Sequence, residues 1–127
     1  MNRFRPNLVV GGTRQFEEDE WASFRVGGAT FRSVKPCSRC KVTTIDQATG
    51  VDGTEPLRSL SSFRSGAALG WANSEPGGAS WRAQVFFGWN LVRDEEPHGA
   101  LDAGGAVLAV GDAVHVLARR DWAARKT

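Results

Sequence analysis

The chain has 127 residues, of which 41% are apolar and 24% charged, and its formal net charge at pH 7 is +2. This composition is that of an ordinary globular protein, and the length predicts one domain with a single modest core. The small net charge argues against a protein that binds polyanions in bulk through charge alone.

The apolar runs of the chain are short. None approaches the ~18 residues of a transmembrane helix, and the segment Met1-Asn2-Arg3-Phe4-Arg5-Pro6 lacks the apolar stretch of a secretory signal. We therefore predict a cytoplasmic protein with no membrane and no nucleic acid among its partners. A free pair of thiols stays reduced in that compartment.

The first element in chain order is a basic segment that is predicted to be extended. Pro6 disfavours a helical conformation at Arg5, and Leu8-Val9-Val10 is typical of a short buried strand. Side chains at positions i and i+2 of an extended chain share a face. Arg3 and Arg5 would then form a clamp for phosphate, since each guanidinium can donate two parallel hydrogen bonds. On these residues alone, two solvated charges are the simpler interpretation.

An acidic turn and a hairpin follow. The run Phe16-Glu17-Glu18-Asp19-Glu20-Trp21 predicts a short helical turn with its acids in solvent, and a metal-binding patch is the alternative. Residues 22–26 and 29–34 alternate between apolar and polar side chains on either side of Gly27-Gly28. This pattern predicts two antiparallel strands joined by a two-residue turn.

The stretch Lys35-Pro36-Cys37-Ser38-Arg39-Cys40-Lys41 holds both cysteines, with a cation before, between and after them. Nearby cations favour the thiolate, which is the reactive and metal-binding form of cysteine. The β-branched run Val42-Thr43-Thr44-Ile45 predicts a strand, which places the cysteines on a tight connection between two strands. A thioredoxin-like motif would open a helix instead. A soft metal, a redox reaction and a disulfide stay open, although a disulfide is disfavoured in the cytoplasm.

Two further observations bear on the cysteines. A structural zinc site takes four ligands, and only His98 and His115 remain to complete one, so a closed zinc site is disfavoured. Residues 1–44 carry eight Lys and Arg against four acids, whereas residues 45–127 carry eight against ten. The positive charge is therefore concentrated with the cysteines. This favours a small anionic ligand, and a solvated basic face is the alternative.

The middle of the chain predicts one helix and a long loop. Pro56 suits the first turn of a helix. The apolar stripe of this helix is predicted to face the core and consists of Leu57, Leu60 and Phe63. Residues 66–83 are rich in Gly, Ala and Ser, which predicts a long, lid-like surface loop with Trp71 and Trp81 packed beneath it.

The last third of the chain predicts strands. Residues 85–92 form a strand pattern interrupted by Gly88, which marks a bulge or a close backbone approach. Residues 107–110 and 113–117 predict a second hairpin, in which His115 faces solvent on an edge strand. Short strands with one or two helical turns predict a mainly β chain of the α+β type with a small barrel-like sheet.

Seven segments of the chain occur in an order that resembles the MOSC domain family. They are Arg3-Phe4-Arg5-Pro6-Asn7-Leu8-Val9-Val10, Phe16-Glu17-Glu18-Asp19-Glu20-Trp21, Lys35-Pro36-Cys37-Ser38-Arg39-Cys40, Thr43-Thr44-Ile45-Asp46, Glu55-Pro56-Leu57-Arg58-Ser59-Leu60, Phe87-Gly88-Trp89-Asn90-Leu91-Val92 and Val110-Gly111-Asp112. The Arg-Phe-Arg-Pro-Asn and Cys-Ser-Arg-Cys segments in that order carry the specificity. The chain is most similar to the branch of the family that reduces N-hydroxylated compounds.

The resemblance implies a MOSC-type β-barrel-like fold over residues 1–118, a basic tail at 119–127 and a bound molybdenum cofactor (Mo-molybdopterin). By its place in Cys-Ser-Arg-Cys, Cys40 would be the metal ligand and the catalytic residue. The cofactor-binding residues implied by the resemblance are Arg5, Asn7, Ser38, Arg39 and Asn90. Molybdenum accepts soft sulfur ligands, so one protein thiolate beside the two pterin sulfurs is sufficient. Pyridoxal phosphate binding is a further property that the resemblance implies.

The activity implied by the resemblance is a two-electron removal of oxygen from the N–O bond of a small N-hydroxylated substrate. A separate electron-transfer protein would supply the electrons. In the family the Arg-Phe-Arg-Pro-Asn segment lies in the middle of the protein, so we expect a C-terminal portion of the domain and a partner chain with the N-terminal half. Two alternatives stay open. One is a non-catalytic carrier of sulfur or of the cofactor, with a persulfide on Cys37 or Cys40, and the other is an inactive fragment.

Overall fold

The computed structural model describes residues 1–73, 77–94 and 107–121. In these ranges the chain forms the strands β1 (Trp21–Val26), β2 (Ala29–Arg39), β3 (Val85–Arg93) and β4 (Val114–Arg119) and the helix α1 (Leu57–Arg64). Short 3-10 helices lie at Asn2–Phe4, Glu17–Glu20, Lys41–Thr44, Trp71–Asn73 and Gly78–Trp81. The prediction of a mainly β chain with few helices is confirmed.

The four strands form one sheet in the order β3-β2-β1-β4. Strand β1 is antiparallel to both β2 and β4. The predicted first hairpin is confirmed: Gly27, with a φ of 53°, begins the turn between β1 and β2, a conformation that glycine adopts without steric cost. Because β3 and β4 are the outer strands among the described residues, closure of the sheet into a barrel stays a prediction.

The described chain divides into two compact units. The first contains residues 1–11 and 37–88, and the second contains residues 12–36 and 89–121. In the first unit the buried apolar side chains are Leu60, Trp71, Trp81 and Phe86. In the second unit they are Trp21, Phe24, Val26 and Ala29. Each unit therefore has an aromatic core of its own, where the sequence predicted a single core.

The core of the first unit changes the interpretation of the predicted loop at residues 66–83. The rings of Trp71 and Trp81 each pack against Phe86, with centroid distances of 5.5 and 5.3 Å. Both tryptophans lie in 3-10 helices and both are buried, which confirms that they pack rather than stack on a ligand in solvent. Trp71 and Trp81 thus anchor the described part of this segment to the core of the first unit, which does not fit a mobile lid.

The predicted second hairpin is wrong. Strand β4 pairs with β1, which precedes it by about 90 residues, and not with residues 107–110. Its two supposed arms are separated by a turn in which the Asp112 carboxylate accepts a hydrogen bond from the Ala109 amide. The prediction that His115 lies exposed on an edge strand is confirmed.

The acidic turn at Glu17–Glu20 binds arginines of the second unit. Arg119 donates to Glu17 at 2.9 Å and to Glu20 at 2.8 Å. The hydrogen bond from Arg119 is the main cause that lowers the pKa of Glu17.

Arg119 is the last residue of β4, so the strand extends one residue into the predicted tail, and residues 122–127 lie outside the described chain. Across the described residues, no group of three or more His, Cys, Asp or Glu side chains is arranged to hold a metal ion.

None of the helices in the described ranges has both the length and the apolar character needed to cross a membrane.

Candidate cofactor site

The basic segment at the start of the chain is a turn and not an extended strand. The 3-10 helix Asn2–Phe4 ends at Arg5, whose amide donates to the Asn2 carbonyl and whose backbone is left-handed, with φ 49° and ψ 51°. The prediction of an extended Arg5 is therefore wrong, although Pro6 excludes only the right-handed helical conformation there. Leu8-Val9-Val10 forms no strand and pairs with none of the four described strands.

The two N-terminal arginines do different things. Arg3 donates to the Thr44 carbonyl at 3.0 Å and to the Asp46 carboxylate at 3.2 Å. The side chain of Arg5 is exposed and makes no hydrogen bond or ion pair with any described residue. The predicted two-arginine clamp is therefore not formed: Arg3 anchors the chain, and Arg5 is the guanidinium that a ligand can reach.

The length of β2 sets the positions of both cysteines. The strand contains Cys37 and ends at Arg39, so Cys40 is the first residue after it. The predicted strand at residues 42–45 is wrong, because Lys41–Thr44 is a 3-10 helix. The hydroxyl of Thr43 donates to the Cys40 carbonyl and that of Thr44 to the Lys41 carbonyl. Such bonds to the carbonyl three residues earlier offset the β preference of threonine.

The guanidinium of Arg39 joins the cysteine segment to the N-terminal turn. It donates to the Cys37 sulfur at 2.7 Å and to the Phe4 carbonyl at 2.5 Å, and it lies 5.1 Å from the centre of the Phe4 ring. The Phe4 ring also stacks on Phe87, with a centroid distance of 4.2 Å. Arg39 Nε is buried and donates to no described group. The turn that ends at Arg5 is thus fixed beside the end of β2.

Cys40 and Ser38 are exposed, and both cysteines are free thiols. Cys40 has an extended backbone, with φ −107° and ψ 177°. The cations on either side of it bind elsewhere, since Arg39 contacts Cys37 and Phe4, and the Lys41 ammonium lies 2.6 Å from the Asp52 carboxylate. The electrostatic argument for a Cys40 thiolate finds no support in these contacts. Cys40 is instead available to a ligand because no described side chain covers it.

Asp46 closes the loop against which Arg3 packs. Its carboxylate accepts hydrogen bonds from the amides of Ala48 and Thr49, both at 2.9 Å, and from the Thr49 hydroxyl. The two amide bonds are the main causes that lower the pKa of Asp46 below its ordinary value, and the nearby charge of Arg3 lowers it further. The site is therefore bordered by a carboxylate that stays ionised at neutral pH.

This lowered pKa predicts how the loop responds to acid. A carboxyl whose pKa is lower in the folded than in the unfolded state stabilises the fold above the unfolded pKa, and this contribution is lost as the pH falls through the folded value. We expect the amide resonances of Ala48 and Thr49 to shift together in an NMR titration at a pH below about 3.9. Asp46→Asn should remove the transition. A transition that persists in this variant would assign it to another group.

A cavity of about 470 Å³ lies beside Asp46 within the first unit. It is lined by Arg3, Thr44, Asp46, Thr49, Val51, Asp52, Gly53, Thr54 and Glu55. Three of these residues are acids, and Arg3 already donates to the chain. The cavity therefore does not suit an anion such as a pterin phosphate.

Asn90 lies in the part of β3 that belongs to the second unit, and its side chain is exposed. Its neighbour Trp89 is held by Asp19, which accepts from the indole nitrogen at 2.9 Å, and by Arg120, whose guanidinium lies 3.9 Å from the ring centre. The role of Asn90 at the cofactor stays a prediction. The same holds for Arg5, Asn7, Ser38, Arg39 and Cys40, although the structure places these five in one unit.

The residues that sequence reasoning missed are those that hold the N-terminal turn against the cysteine segment. In the sequence, Phe4 and Phe87 stand out only as members of motifs, and Cys37 only as an alternative persulfide site. The alternation of side chains along a strand puts Cys37 and Arg39 on one face, and this signal could have paired them. No local signal pairs Phe4 with Arg39, because the two are far apart in the chain.

Several characterised proteins are similar to about half of this chain. Mitochondrial amidoxime reducing component 2 is 46% identical over 65 residues in both Bos taurus and Homo sapiens, which is 50% of this chain and 19% of each relative. Molybdenum cofactor sulfurase of Danio rerio is 42% identical over 66 residues, which is 52% of this chain and 8% of that protein. The matched region is therefore a fifth or less of the length of these relatives.

A sequence model of the MOSC domain matches residues 1–115, which is most of the chain. The match includes both the Arg-Phe-Arg-Pro-Asn and the Cys-Ser-Arg-Cys segments, which the structure joins through Arg39 and Phe4. The chain therefore belongs to the MOSC domain family.

Proposed function

We propose that this chain is the molybdenum-cofactor-binding domain of an oxidoreductase that reduces N-hydroxylated compounds. The observation that carries the proposal is the position of Cys40, an exposed thiol at the end of a strand that Arg39 joins to the turn bearing Arg5. The similarity to amidoxime reducing components supports the reaction, and the similarity to molybdenum cofactor sulfurases supports the cofactor. The cytoplasm is the proposed location.

The chemistry of the exposed donors fits such a cofactor. Cys40 offers one soft sulfur ligand, which is what molybdenum needs beside the pterin sulfurs. Arg5 offers a guanidinium fork without a partner among the described residues, which suits a phosphate. Asn7 and Ser38 are exposed and offer neutral polar groups for the pterin. The buried and unpaired Nε of Arg39 is a further donor on the same segment.

When bound, the cofactor would supply two-electron chemistry that removes the oxygen of an N–O bond. The chain would contribute the thiolate of Cys40 as a ligand and the charge of Arg5 as a phosphate anchor. Electrons would come from a separate electron-transfer protein, and a partner chain with the N-terminal half of the domain stays a prediction. Pyridoxal phosphate binding stays a prediction, because the described residues give it no separate support.

A non-catalytic carrier of the cofactor or of sulfur is the second candidate. The similarity to molybdenum cofactor sulfurases favours it. In this case Cys40 would hold its cargo without turnover. A carrier of the cofactor therefore differs from the oxidoreductase in reduction of a substrate and not in binding, whereas a carrier of sulfur would bind no cofactor.

The experiment that separates them uses the full chain produced in a host that makes the molybdenum cofactor. It is prepared alone and together with a second chain that carries the N-terminal MOSC strands of a relative. Molybdenum and pterin are measured per chain, and reduction of an amidoxime is followed with a reduced dye. Metal with turnover supports the oxidoreductase, and metal without turnover supports a carrier of the cofactor. The absence of metal from both preparations contradicts both of these and leaves only a carrier of sulfur.

Arg5→Gln is expected to weaken cofactor retention in the preparation that binds best. The variant removes a charge-assisted hydrogen bond to phosphate, which is worth about 1.5–3 kcal/mol. This corresponds to roughly 10-fold to 150-fold in the dissociation constant. The measurement is pterin and molybdenum content after dialysis. Arg58→Gln is the matched control, because Arg58 is an exposed arginine on α1, and equal losses in both variants would show that Arg5 has no special role.

A further inference from the structure

We infer that Cys37 is a positioning residue, whose sulfur holds the Arg39 guanidinium against the Phe4 carbonyl and thereby presents Arg5 and Asn7 to the cofactor. The inference rests on the proposed function for its link to the cofactor. The contact itself is independent of that function. It gives the first cysteine of the Cys-Ser-Arg-Cys motif a role other than metal ligation.

The geometry of Arg39 is the first step of the argument. Its two terminal nitrogens point to two different acceptors, the Cys37 sulfur and the Phe4 carbonyl. A guanidinium is planar and rigid, so fixing one nitrogen on the sulfur fixes the direction of the other. Without the sulfur, the guanidinium could rotate away from the Phe4 carbonyl. Cys37 therefore orients a bond that it does not make itself.

The contacts of Phe4 also restrict its neighbour Arg5. The Phe4 ring is packed on one side by Phe87 and lies beside the Arg39 guanidinium, and its carbonyl is bound by Arg39. The backbone of the next residue, Arg5, is left-handed, a conformation that is unfavourable for a non-glycine residue and persists only where the surroundings hold it. The contacts of Phe4 with Arg39 and Phe87 hold Arg5 in this conformation. They thereby set the direction of the exposed Arg5 side chain.

Cys37 is also on the wrong face to share a metal with Cys40. Successive side chains of an extended chain alternate between faces. The backbone is extended from β2 through Cys40, so Cys37 and Arg39 lie on one face and Ser38 and Cys40 on the other. The exposure agrees, since Ser38 and Cys40 are exposed whereas Cys37 and Arg39 are half-buried. One cysteine is thus turned toward the chain and one toward solvent.

Amide hydrogen exchange of the full chain without cofactor tests the contact. The amides of Phe4 and Arg5 donate to Met1 and Asn2, so their protection reports on the turn. Cys37→Ala removes the acceptor and should make these amides exchange about fivefold to tenfold faster, which corresponds to the loss of one hydrogen bond. Cys37→Ser keeps an acceptor and should restore slow exchange. The amide of Leu60 in α1, which donates to the Pro56 carbonyl, is the internal control.

The rate at which the cofactor leaves protein that acquired it in the host tests the second claim, that Cys37 affects cofactor binding. We expect molybdenum and pterin to leave Cys37→Ala roughly 10-fold to 100-fold faster than wild type, in the range found for groups that orient metal ligands. Cys37→Ser should release them at a rate within about threefold of wild type, because serine keeps an acceptor for Arg39. If Cys37 only filled space, the acceptor would make no difference. Should Cys37→Ala fail to fold, Cys37→Val replaces it, because valine fills a similar space but accepts no hydrogen bond.

The outcomes separate the two claims. Unchanged exchange at Phe4 and Arg5 in Cys37→Ala overturns the inference whatever the cofactor does. Faster exchange with unchanged release leaves a structural contact and overturns the positioning role. If the amides exchange faster in Cys37→Ala and the wild-type protein binds no molybdenum, the contact is confirmed. In that case the proposed function, rather than the contact, has failed.

Discussion

Cys40→Ser is expected to lower the molybdenum content of this chain by more than about 100-fold. Loss of a residue that only orients a metal ligand costs about 10-fold to 100-fold, and loss of the ligand itself should cost more. A serine hydroxyl is a hard, protonated oxygen and a poor substitute for a soft thiolate. The measurement is molybdenum per chain after purification from a host that makes the cofactor, beside wild type prepared in the same way.

Cys37→Ser is the matched control for this experiment. It makes the same atomic substitution three residues earlier, on the opposite face of the extended segment, and keeps a hydrogen-bond acceptor for Arg39. We expect it to retain most of the metal. Equal loss in the two variants, or loss only in Cys37→Ser, would contradict the assignment of Cys40 as the ligand.

Phe86→Ala is expected to destabilise the chain by about 3–5 kcal/mol, which is the range for truncating a buried aromatic side chain. Phe86 is 1% exposed and lies against both Trp71 and Trp81 in the core of the first unit. The loss is a large fraction of the roughly 5–15 kcal/mol that a domain of ordinary stability has. Denaturant unfolding followed by tryptophan fluorescence measures it, because two of the reporting rings are in the contact.

Phe63→Ala makes the same truncation at a residue that is 46% exposed on α1. It should cost about 1 kcal/mol or less, since substitutions away from the core have small effects. A loss in Phe63→Ala as large as that in Phe86→Ala would mean that the apolar stripe of α1, and not the aromatic cluster, stabilises this unit.

The sequence predicted those features whose cause is local. The hairpin of β1 and β2 follows from alternation on either side of two glycines, and α1 follows from Pro56 and its apolar spacing. The prediction that the whole apolar stripe of α1 faces the core is wrong for Phe63, which is 46% exposed, whereas Leu60 is buried. The assignment to the MOSC domain also came from the order of short motifs. Each of these signals lies within a few residues of the feature that it predicts. No partner elsewhere in the chain is needed to read them.

Local propensity failed where side chains or distant strands compete with it. The β-branched run after Cys40 became a 3-10 helix because the hydroxyls of Thr43 and Thr44 bond to nearby carbonyls. The pattern of residues 113–117 correctly predicts strand β4, but it suggests residues 107–110 as the partner in place of β1. A period of two predicts which side chains share a face, and it carries no information about which strand lies alongside.

The sequence by itself therefore determined the family, the strand-rich composition of the fold and the chemical types of the site residues. Only the tertiary structure decided which cation meets which sulfur. Arg39 binds Cys37 and Phe4, Lys41 binds Asp52, and Cys40 is left exposed. The physical reason is that a charge placed next to a thiol in sequence can point in several directions. Its direction is set by acceptors such as the Phe4 carbonyl, which approach only when distant segments pack together.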